Sequence, residues 1–175
     1  MLRDDEIQRL VNYIKGLGLK VTFSSKQSDC SAFWYLDNSE IVICKNKNKS
    51  KIETVLSLIH ETGHALHNIY EKNRKTDPKF EEALDHVDEA QELELDTQKK
   101  QRKIILNNEK AGTHYWDAIY RETNMKFPMW KLEAAKEIDV WMYEVFYETG
   151  KYPKTKERIA KVKEVNRKHR RKSRG

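Results

Sequence analysis

Cysteine is nearly absent: Cys30 and Cys44 are the only two in 175 residues, and they stand fourteen positions apart. This excludes a disulfide framework and a zinc ribbon, and predicts two free thiols in a reducing compartment. Long apolar runs are missing as well, so no segment predicts a membrane span. The opening MLRDDEIQRL is acidic and amphipathic where a secretory leader would be basic and then continuously apolar, and the expectation is a cytoplasmic protein. No internal repeat occurs, and compositional bias is confined to the basic C-terminal end.

What is present is charge. Charged residues make up 35% and hydrophobic residues 38% of the chain, with a mean hydropathy of −0.90, a balance that predicts a small core wrapped in long, charged helices. The length predicts one domain. The net charge of +6 is unevenly spread: residues 151–175 carry 12 Lys and Arg against Glu157 and Glu164, or +10, which leaves 22 basic and 26 acidic residues, or −4, in the first 150.

The pattern along the chain predicts an α+β fold. Ile7, Leu10, Val11 and Ile14 fall at helical spacing behind an Asp-rich start, and Gly16 and Gly18 should end that helix. LKVTFSS, SAFWYLD and SEIVICK read as three short strands, with a turn at 37–39, in a small and mostly antiparallel sheet. Helix is predicted through 51–70, through a polar segment from Pro78 to about Asn107 with a thin stripe of Leu84, Val87, Ala90 or Gln91 and Leu95, and from Pro128 to Gly150.

The stretch VLSLIHETGHALHNIY, residues 55–70, carries the chemistry. At about 100° per residue, Leu58, Ile59, Thr62, Leu66 and Ile69 lie within about 60° of Val55 and form a core-facing stripe, whereas His60, His64 and His67 fall on another face. His60 and His64 are one turn apart, so their imidazoles can converge on one ion, and Glu61 lies beside them where it can face a metal-bound water. Gly63 would let a neighbouring element approach closely. His67 stands about 10 Å along the axis from His60 and is expected to be an outer or merely polar group.

A catalytic zinc needs a third protein ligand. The metzincin continuation HExxHxxGxxH is absent from HETGHALHNIYEK. The helix after Pro128 offers Glu133, Glu137, Glu144 and Glu148 on one stripe with Trp130 and Trp141, within about 40° of Glu137. Buried acids need a cationic partner. Glu137, central on the stripe, is the expected third ligand, with Glu133 as its nearest rival and surface pairing with Lys or Arg as the other outcome.

With IVICKNKNKSKIETVLSLIHETGHALH and the later EIDVWMY, the chain resembles the ImmA/IrrE type of zinc metallopeptidases and their phage-encoded relatives. The resemblance covers about 1–70 and 130–148. It implies a zincin-like domain over 1–150 with a charged helical insertion around 78–124, Zn2+ bound by His60, His64 and Glu137, Glu61 as catalytic acid/base, and hydrolysis of a peptide bond in a regulatory protein. In the later motif the nearest matches are Glu137, Val140 and Tyr143. His114, Tyr115, Tyr120 and Tyr143 are chemically suited to stabilise a developing oxyanion. The competing expectations are a catalytically silent metal-binding protein and a nucleic-acid-associated helical module. The C-terminal KTKERIAKVKEVNRKHRRKSRG begins with some helical character, ends as a dense cationic run and reads as a solvated disordered tail, with nonspecific contact to nucleic-acid phosphates as its functional alternative.

Overall fold

The computed structural model describes residues 4–27, 32–35, 37–45, 50–72, 75, 77–93 and 96–174. They form a mostly helical α+β structure with one three-stranded sheet, arranged as two compact units.

The first unit spans Met1–Lys75 and Ala111–Phe127. Helix α1 (Asp4–Gly16) buries Leu10, Val11 and Ile14, and Gly18 follows it with φ 77°, a left-handed turn that suits a residue without Cβ. Strands β1 (Lys20–Gln27), β2 (Ala32–Tyr35) and β3 (Glu40–Lys45) form a sheet in the order β1-β3-β2. The tight turn at 37–39 makes β2 and β3 antiparallel, with Ala32 opposite Ile43 and Tyr35 opposite Glu40. The sheet is nevertheless mixed, which corrects the mostly antiparallel expectation: β3 inserts between β1 and β2 and pairs with β1 in parallel, Lys20 opposite Glu40 through Ser24 opposite Cys44. The three strand segments are recognisable from composition, but strand order is a non-local choice. The most apolar strand takes the centre, with Ile41 and Ile43 buried on one face. Cys44 on β3 is a free thiol; Cys30 lies outside the described residues.

Helix α2 (Lys51–Glu71) begins at a capping box in which Ser50 Oγ accepts from Glu53 N–H and Glu53 accepts from Ser50 N–H. It buries Val55, Leu58, Ile59 and Leu66 as the periodicity predicts, and it packs against β2, β3, α1 and the short helix α5 (Trp116–Glu122). Glu6 of α1, almost fully buried, accepts a 2.6 Å hydrogen bond from Lys126 N–H and ties the segment after α5 to α1.

The second unit spans Thr76–Lys110 and Pro128–Gly175. The long helix expected from Pro78 to about Asn107 is two helices, α3 (Pro78–Glu92) and α4 (Lys99–Thr113). On α3 the inward stripe is Ala83, Val87 and Ala90, whereas Leu84 is 37% exposed; Leu95 lies outside the described residues. Ala83, Val87, Ile105 and Phe146 form a core with Phe80, Ile104 and Tyr143 against it. Helix α6 (Met129–Thr149) starts after Pro128 and stops at Gly150, φ 72°, where a Cβ would meet the Arg102 guanidinium at 2.6 Å.

Residues 155–172 are helical too (α7, Thr155–Lys172): the helical character expected at the start of the tail runs on through the cationic run expected to be disordered. Glu157 accepts from the Lys154 N–H to cap its start, Val165 is fully buried as α7 packs against α6, and four basic residues fill its last turn, where the helix dipole favours cations. A single buried valine among many cations is too weak a periodic signal to carry the helix through to Lys172 from the sequence. Among the described residues no helix is long and apolar enough to cross a membrane.

Candidate metal centre

His60 and His64 project from the middle of α2, on the side away from its core stripe, with ring centroids 4.7 Å apart and planes at 72°. Both are partly buried. The edge of the buried Trp116 indole packs against His60, with centroids 5.8 Å apart, and restricts that ring. One oxygen of Glu61 accepts a 2.9 Å hydrogen bond from the Trp34 N–H on edge strand β2, which holds the carboxylate, while the other lies 3.9 Å from His60 Nε2. The helix and the sheet edge thus fix the direction in which Glu61 points.

Two glycines make room for the end of α4. A Cβ on Gly63 would stand 2.4 Å from the Gly112 carbonyl oxygen, and a Cβ on Gly112 would stand 2.8 Å from His64 Nδ1. The close approach expected at Gly63 is therefore present, and its partner is a second glycine. Helix α4 is continuous, and its last residues, from 111 on, belong with the first unit. Glu109 is carried one turn before Gly112 on that same helix. One ligand atom each from His60, His64 and Glu109 lies within 4.8 Å of the other two, a group that could hold a metal ion.

The donor set suits zinc: two imidazole nitrogens and one carboxylate oxygen are the ligands of one class of open catalytic site. A tetrahedron with metal–ligand distances of about 2.1 Å has edges of about 3.4 Å, a spacing that lies inside the 4.8 Å limit on these atoms. Glu109 is itself 7% exposed and takes a hydrogen bond from Tyr143. Burial, and then the Glu109 charge, push the Tyr143 hydroxyl far above the usual phenol range, so it remains a proton donor. A metal-ligating carboxylate oriented by an outer hydrogen bond is a common design.

The other expected residues have different surroundings. Glu137 accepts from Lys168 Nζ at 2.7 and 2.8 Å and meets His169 Nε2 at 2.8 Å, while Glu133 meets His169 Nδ1 at 3.2 Å. The Lys168 hydrogen bond, the largest cause, and His169 beside it hold the Glu137 carboxyl below its ordinary range. Glu144 and Glu148 pair with Lys110 and Lys99 at 2.8 and 2.9 Å. The acidic stripe of α6 thus finds cations on α4 and α7, the surface pairing weighed against a metal above, and the group of described residues that could hold an ion is His60, His64 and Glu109.

His67 is buried with Nδ1 3.3 Å from Glu71, consistent with a polar role outside the donor group. Tyr115 donates to Glu71 at 2.8 Å and Tyr120 donates to the Phe127 carbonyl, while His114 is exposed in the turn after α4.

A readable signal for Glu109 did exist. It shares a stripe with the buried Ile105 and Leu106 and with Gly112, so a charged residue interrupts an apolar face. A glycine inside a charged helix costs about 1 kcal/mol relative to alanine and calls for a packing reason.

No protein-family model, curated protein or solved structure matches the chain. The likeness to the ImmA/IrrE type rests on the quoted residues alone.

Proposed function

We propose that the protein is a zinc-dependent metallopeptidase in which His60, His64 and Glu109 hold the ion and Glu61 is the acid/base. The observation that carries this reading is the convergence of the three donors beside a carboxylate fixed by Trp34. When bound, zinc supplies Lewis acidity and lowers the pKa of a coordinated water to about 7. Glu61 takes the proton of the attacking water as the new C–O bond forms, and returns it to the amine as the peptide C–N bond breaks. Trp34 N–H keeps one Glu61 oxygen engaged and leaves the other directed to the donor group. Tyr143 orients Glu109. The substrate class is a protein or peptide, and the intracellular regulator implied by the resemblance is the narrower expectation.

Chelator-competition titration of zinc into the full chain tests the ligand set. Glu109→Gln is expected to weaken binding by more than the roughly 10- to 100-fold that loss of an outer hydrogen-bond partner costs. Glu137→Gln is expected to leave affinity unchanged, since its carboxylate is occupied by Lys168 and His169. The reverse pattern would return the third ligand to α6.

A further inference from the structure

Helix α7 sorts its charges. At about 100° per residue, Lys156, Lys163, Arg167, Arg170 and Arg171 lie within about 60° of one another's mean direction, Arg174 follows in the turn beyond Lys172, and all six are exposed. From Lys156 to Arg171 the stripe runs about 22 Å. The opposite side carries the packing and pairing beside the exposed Arg158 and Lys172: Val165 is buried, and His169 and Lys168 engage Glu133 and Glu137 on α6. The two acids of α7 are spent locally, Glu157 on the Lys154 N–H and Glu164 on Lys161 at 3.1 Å. Among the described residues none of the six striped cations forms an ion pair.

We infer that this face of α7 binds the phosphate backbone of duplex nucleic acid, independently of base sequence. A straight row of like charges, held by a helix whose own acids and α6 do not neutralise it, is complementary to a regular polyanion and gains affinity by releasing its counterions. The face carries no aromatic side chain on which unpaired bases could stack, which favours duplex over single strands. An anionic membrane is less well matched, because an interfacial helix needs a free apolar face and the valines of α7 lie on the side turned to α6, with Ile159 the exposed apolar exception.

Fluorescence anisotropy with a labelled 24-base-pair duplex and the full chain tests the proposal. Six contacts predict a slope of log K against log salt of about −5, a loss of about 10³-fold between 50 and 200 mM salt. The exposed double variant Arg167→Gln/Arg171→Gln should flatten the slope by about 2 and weaken binding about 10²-fold at 50 mM. The control Lys79→Gln/Lys103→Gln, exposed cations on α3 and α4, should leave the slope as it is. If the first variant loses helicity by circular dichroism, Lys156→Gln/Lys163→Gln carries the same expectation from the other end of the stripe. An unchanged slope in a folded stripe variant, an equal loss in the control, or retention on phosphatidylserine vesicles with none on duplex would each overturn it.

Discussion

Glu61→Gln is expected to keep its zinc and lose about 10² to 10⁴ in turnover of a quenched-fluorescent peptide library, the usual scale for removing a general acid/base. The amide preserves the shape of the side chain and can still occupy the place beside Trp34 N–H, so folding and metal content should survive. It cannot take a proton from water at neutral pH. Full activity in a zinc-loaded Glu61→Gln protein would remove the peptidase reading while leaving the metal centre intact, and loss of zinc would make Glu61 part of the binding site instead.

The second large effect is on the metal itself. After dialysis, the wild-type chain is expected to retain about one zinc measured by elemental analysis, and His60→Ala and His64→Ala should each retain almost none, because two remaining donors make too poor a site. His67→Ala should keep its zinc: that ring lies 3.3 Å from Glu71 and outside the donor group. Undiminished zinc in both the His60 and His64 variants would place the ion elsewhere on the chain. Circular dichroism separates ligand loss from unfolding, since both rings lie on the side of α2 away from its core stripe.

The histidine pair was legible because helical periodicity is local. Val55, Leu58, Ile59 and Leu66 define the buried side of α2, and His60 and His64 fall elsewhere once that side is known. Gly63 was legible for the same reason, as a missing side chain on the edge of a functional face. The proposed third donor, Glu109, is a tertiary choice. The α6 glutamates are conspicuous in sequence because they alternate with tryptophans, yet Lys99, Lys110, Lys168 and His169 reach them from helices far along the chain. Glu109 is inconspicuous because NNEKAG reads as a polar helix end until Gly112 is set against Gly63. Strand order failed for a related reason: the β2–β3 turn is encoded locally, but the insertion of β3 beside β1 is a long-range pairing that the three strand segments do not specify.

Helix α7 shows the opposite limit. Its composition correctly announces a dense cationic run, but the order comes from contacts that composition hides, a buried Val165 and a histidine poised between two glutamates of α6. Glu137 contributes to that docking only while ionised. Its carboxyl is held below the ordinary range when folded, so the contribution is present above the unfolded carboxylate pKa and disappears as pH falls through the lower folded value. The side chain is partly exposed, and solvent screening keeps the effect small.

X-ray absorption at the zinc edge addresses the metal centre most directly. The zinc-loaded wild-type chain should give a shell of nitrogen and oxygen donors only, at about 2.0 to 2.1 Å, with the outer scattering of two imidazoles, and Glu109→Gln should alter that shell while Glu137→Gln does not. A sulfur shell at about 2.3 Å, absence of imidazole scattering, or a spectrum indifferent to Glu109 would contradict a site built from His60, His64 and Glu109.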